Sequence, residues 1–122
     1  MSIEQEAKQK NLIAINEWVK EQFNNSGLDR PILIHDAFHS GTYGHNYRSY
    51  KISISKNGIS VCGYGKFSPW LRINDTEIKQ DNLIYMITGN DLIYNWSNIK
   101  AKIEYEIESE KSKKELMLNF TV

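Results

Sequence analysis

Apolar residues recur near the start of the chain at three- and four-residue spacing: Leu12, Ile15, Val19 and Phe23, with Trp18 flanking them. That period places side chains on one face of an α-helix. Ser2 followed by Gln5 makes a capping box, and Asn24-Asn25-Ser26-Gly27 supplies the stop, glycine being best suited to the left-handed conformation past a helix end. The pattern predicts an amphipathic helix of about six turns within residues 1–27, whose apolar stripe needs a sheet to cover.

Beyond Pro31 the period falls to two. Residues 32–34 open the strands, the glycine-containing segment 40–46 interrupts them, and Asn57-Gly58 has the sequence of a type I′ hairpin turn. Such a turn pairs Ile54 with Val61 and Ser53 with Cys62. One face is then apolar (Ile52, Ile54, Ile59, Val61) and the other carries serines and Cys62. Residues 67–73 read as a further strand, which Pro69 puts at an edge or bulge. Residues 83–88 and 92–96 flank Gly89-Asn90, which suits a type II′ hairpin; a helix over 91–99 is the rival reading, because Leu92, Trp96 and Ile99 also fit helical spacing.

Ile99, Ala101, Ile103, Tyr105 and Ile107 alternate with Lys and Glu, and Leu116, Leu118, Phe120 and Val122 alternate again. This predicts two half-buried antiparallel strands joined by a charged loop at 109–114. The apolar parity changes from even to odd across Ser97-Asn98, so this reading requires a turn or bulge there. The expected architecture is a single α+β domain over 1–122: a helix in 1–27 packed on a mostly antiparallel β-meander in 31–122.

Composition narrows the function classes. A chain of 122 residues buries about two thirds of its surface on folding, enough for a core without disulfides or metal. The lone Cys62 excludes an internal disulfide and matches a reducing compartment. No apolar run approaches the roughly 20 residues that span a bilayer, and the first residues lack the apolar core of a signal peptide, so a cytoplasmic, membrane-independent protein is expected. Ile, Lys and Asn dominate and Lys far outnumbers Arg, a bias associated with AT-rich bacterial or phage genomes. Charge balances at 15 Lys+Arg against 15 Asp+Glu. The centre is mildly basic, well short of a dedicated DNA-binding domain.

Two groups of residues carry candidate chemistry. His35, His39 and His45 fall close together, a composition suited to zinc or non-haem iron, or to acid–base phosphodiester cleavage with Arg48 or Lys51 on the phosphate. Yet His35 and His39 lie in strand and loop sequence, where four residues separate side chains by about 13 Å, and no metal or other cofactor is expected. Tyr43, His45, Tyr47, Arg48, Tyr50, Tyr64, Phe67 and Trp70 form an aromatic and basic set, with Lys51 and Lys66 interleaved. Such a set suits a protein interface, where Tyr, Trp and Arg dominate, or the stacking of a nucleotide or single-stranded nucleic acid. No catalytic set is assigned. The expected function is a small non-catalytic binding protein or inhibitor, of toxin-immunity or anti-defence type, with another protein as partner. A nucleotide or small-ligand binder and a small phosphodiesterase are the alternatives.

Overall fold

The structure, a computed structural model, describes residues 3–42, 45–63, 70–73 and 83–120. In chain order the elements are α1 (Ile3–Ser26), β1 (Ile32–Thr42), β2 (His45–Ser55), β3 (Gly58–Gly63), β4 (Leu71–Arg72), α2 (Leu83–Tyr94) and α3 (Trp96–Phe120). The strands form one antiparallel sheet in the order β1-β2-β3-β4. The protein is an α+β domain.

The α1 stripe behaves as its spacing predicts: Leu12, Ile15, Val19 and Phe23 are all buried. Gly27 ends the helix with φ +75°, and the Ser26 hydroxyl accepts a hydrogen bond from the Leu28 amide at 3.1 Å. The expected capping box, through Ser2 and the Gln5 side chain, lies outside the described residues. Opposite α1, Ile52, Ile54, Ile59 and Val61 share one sheet face and are almost wholly buried. With Leu92 of α2 and Ile99, Ile103 and Ile107 of α3 they form one core.

The β2–β3 hairpin has the expected faces and a different register. Ile54 pairs with Ile59 and Ile52 with Val61, so Cys62 faces Lys51 rather than Ser53. The turn is therefore Lys56-Asn57, and of the turn residues only Gly58 takes a positive φ, +112°. A slip of two residues leaves every side chain on its original face, which is why the pattern could not see it. The cause lies in α1. The buried Asn16 side chain accepts the Ile59 amide hydrogen at 2.8 Å, and a Cβ on Gly58 would lie 1.9 Å from Asn16 Oδ1.

In β1 a bulge between Ile34 and Phe38 sets four residue steps against two in β2, keeping both apolar side chains on the core face. Asp36 within it has φ 49°. Lys102 of α3 donates to the bulge carbonyls of Asp36 and Ala37, at 3.3 and 3.2 Å.

The expected strands after residue 82 are corrected by the structure. Residues 83–94 are α2, not a hairpin, and Gly89 is helical. It is the point where α1 comes close, since a Cβ there would meet Lys8 Cε at 3.0 Å and Leu12 Cδ1 at 3.3 Å. Residues 96–120 are α3, including the expected 109–114 loop. The run Leu92, Trp96, Ile99, Ile103, Ile107 steps by four and three and faces inward, whereas Ala101 and Tyr105 are exposed. The meander thus occupies only the middle of the 31–122 span. Of the expected 67–73 strand, Leu71–Arg72 is β4, and 67–69 lie outside the described residues.

Candidate functional site

Among the described residues, a polar cluster around a buried carboxylate joins two expected site residues to one the pattern missed. Arg48 and Tyr50 lie two apart on β2, so both project to the helix side, beneath α2. There the Asp91 carboxylate accepts from Arg48 Nε at 2.9 Å, from Ser40 Oγ at 2.8 Å and from the Tyr50 hydroxyl. The Tyr50 ring stacks on Phe38, with centroids 4.6 Å apart and planes 12° from parallel. Burial, reinforced by the hydrogen bond to Asp91, pushes the Tyr50 hydroxyl up to about 12. The same carboxylate raises the Arg48 guanidinium above its ordinary value. A phenol held protonated and a guanidinium already paired make a poor acid–base couple near neutral pH. Asp91 was hidden because its sequence neighbours suggested a turn, and no local spacing links it to Arg48.

The three described members of the expected aromatic and basic set divide between the two faces of the sheet, Arg48 and Tyr50 lying on the helix side. Trp70 is exposed, with Lys51 Nζ 5.3 Å from its ring centroid, on the face opposite Arg48 and Tyr50. His45 and Tyr47 belong to β2, but their side chains, together with Tyr43, Tyr64 and Phe67, lie outside the described residues. His35 and His39 are exposed on β1, His35 within the bulge and His39 just beyond it, opposite Ser49. Among the described residues no group of three or more His, Cys, Asp or Glu is placed to hold a metal ion.

Two further surfaces stand out. Between α1 and the α2–α3 junction an open groove of about 450 Å³ is lined by Asn11, Ala14, Ile15, Trp18, Ile93 and Trp96. Trp18 and Trp96 meet edge to face with centroids 5.4 Å apart, and Lys100 Nζ sits 5.2 Å from the Trp18 ring centroid. α1 supplies its side of the groove from the flank of its buried stripe, which explains why Trp18 is only half-buried.

The second is the outer face of the sheet, which no helix covers among the described residues. Register aligns Leu33, Ser53, Ser60 and Arg72 across its four strands. Lys51 and Trp70 lie one row along, about 7 Å away. No helix among the described residues is long and apolar enough to cross a membrane. Comparison with family models, with curated proteins and with solved structures gave no match.

Proposed function

We propose that this chain is a small non-catalytic binding protein that acts through a protein–protein interface, as an inhibitor of immunity or anti-defence type working in the cytoplasm. The observation that carries this reading is the Trp18–Trp96 groove. It is apolar, open to solvent and of a size to take one bulky side chain from a partner. Tryptophans are among the residues on which interface energy concentrates, and these two are half-buried at the edge of the groove. Lys100 beside Trp18 favours a partner with an acidic residue next to its apolar anchor. The engagement of Arg48 by Asp91 also supports a binding role over phosphodiester cleavage, for which Arg48 was a candidate phosphate ligand.

The test is site-specific photo-crosslinking in cells that naturally produce the protein. A photoreactive residue at exposed position 14, on the groove wall, is expected to yield one discrete protein adduct. The same residue at exposed position 104 on α3 is expected to yield none. Equal labelling from both positions, or none from either, refutes the groove as the interface.

A further inference from the structure

We infer that the helix-free face of the sheet binds single-stranded nucleic acid, with Trp70 stacking a base and Lys51 and Arg72 holding phosphates. The inference is independent of the groove, which lies on the helix side.

On the side of the sheet turned away from the helices Leu33, Trp70 and Arg72 are exposed, Lys51, Ser53 and Ser60 are half-buried and Cys62 is buried. Ser53 and Ser60 stand directly behind the buried core positions and present hydroxyls outward, each able to donate and accept. Arg72 faces Ser60 across the β3–β4 pair and is exposed. Trp70 is two residues before Arg72, so both point the same way, about 7 Å apart. The Lys51 stem reaches from β2 to bring its ammonium over the Trp70 ring. An exposed ring with Lys51 against it, Arg72 two residues along the chain and serine hydroxyls on the same face matches what an unpaired nucleotide offers: a π-face, phosphates, and base edges that donate and accept. Charge separates this from an apolar protein footprint. Among the described residues the acidic group on the face is Asp36, at the β1 edge, and it already accepts from Ser49 Oγ at 3.0 Å. His35 and His39 lie on that edge as well and add donors.

A double strand is a poor fit, because its bases are stacked inside and the face of a four-stranded sheet is too broad to enter a groove and reach them. The site is also small. Two phosphate contacts predict modest affinity with a shallow salt dependence, a slope in log K against log salt of about −1.4.

The experiment is fluorescence anisotropy of labelled oligo-dT and oligo-U against the full chain at several salt concentrations. Saturable binding with that slope is expected, with weaker binding of a duplex of equal length. Trp70→Ala should weaken binding roughly 5- to 100-fold. Lys51→Gln with Arg72→Gln should bring the slope towards zero, while Lys111→Gln with Lys113→Gln on α3 removes the same charge and should leave it unchanged. Circular dichroism checks that each variant folds. Arg72→Gln alone, at an exposed position, keeps the test open if the others do not. Absence of saturable binding, a slope unchanged in the Lys51/Arg72 variant, or equal binding of the duplex overturns the inference. Competition by polyglutamate as effective as by oligonucleotide also overturns it and assigns the face to an acidic protein surface.

Discussion

Removing the Asp91 carboxylate isolates the best-defined polar contact in the fold. Its side chain is 11% exposed, whereas the Arg48 side chain is 38% exposed. The two donors therefore respond differently. Arg48 turns to water, so its lost pairing costs only about 0.5–1 kcal/mol. The Tyr50 hydroxyl, on a residue 2% exposed, is left without its acceptor in the interior, a penalty of about 1–3 kcal/mol. Ser40 adds about 0.5–1 kcal/mol. Relief of the carboxylate's own desolvation and the better helix propensity of Ala in α2 offset part of this. Asp91→Ala is expected to destabilise by about 2–4 kcal/mol, and Asp91→Asn, which keeps one acceptor oxygen, by about half as much. Urea unfolding followed by far-UV circular dichroism reads the change as a fall of about 1–2 M in midpoint at an unchanged slope. A cycle with Tyr50→Phe should return a coupling of at least about 1 kcal/mol. If Asp91→Ala stays within 0.5 kcal/mol of the parent, or the two substitutions simply add, the carboxylate does not tie α2 to the sheet.

Three further outcomes follow from the geometry. Gly58→Ala should cost several kcal/mol, since its Cβ collides with Asn16 and φ is +112°, while Gly27→Ala, with open space around it, should cost about 1–2 kcal/mol from φ alone. Because Asn16→Ala also orphans the Ile59 amide, the Asn16→Ala/Gly58→Ala double variant should lose less than the sum of the two single variants, and simple additivity in denaturant melts would contradict the contact. Tyr50 titrates higher folded (about 12) than unfolded (about 10), so the unfolded chain loses its proton first. Its contribution is complete below pH 10 and falls as pH rises through 10–12, by up to about 2–3 kcal/mol. The stability difference between the parent and Tyr50→Phe should therefore shrink over that window, and a constant difference counts against it. Finally, Ile103→Ala should cost about 2–5 kcal/mol and Tyr105→Ala less than about 0.5 kcal/mol, whereas in a strand both would share one face; equal losses in thermal melts would restore the strand reading.

The alternating pattern at 99–107 shows how the sequence misled. Ile99, Ile103 and Ile107 belong equally to a two-residue and a four-residue period, and Ala101 and Tyr105 tipped the pattern towards a strand. The intervening Lys and Glu residues, strong helix formers, argued the other way. Glu108–Lys111 and Glu110–Lys113, both at 3.3 Å, are the helical pairs that this composition makes. The required parity break at Ser97-Asn98 was itself a symptom, because the spacing Leu92, Trp96, Ile99, Ile103, Ile107 is helical throughout and the chain's own break falls earlier, at Asn95 between α2 and α3. By contrast α1 and the two faces of the hairpin were legible, since one period alone fitted each. Of the candidate site, Arg48, Tyr50 and Trp70 were found by residue type, but their division between opposite faces depends on strand parity and on Asp91, distant in sequence.

The contact between Asn16 and the Ile59 amide also bears on the order in which the protein comes apart. Releasing that amide requires α1 to lift from the hairpin, and lifting α1 exposes Leu12, Val19, Ile54, Ile59 and Val61 together. Helix and hairpin therefore open as one cooperative unit, and the Ile59 amide belongs with the slowest hydrogens to exchange with solvent. The end of α3 is held differently: Lys114 donates to the Gly27 carbonyl at 3.2 Å, while Leu116, Met117 and Leu118 beyond it are exposed, and their amides should exchange through local fraying before the hairpin yields.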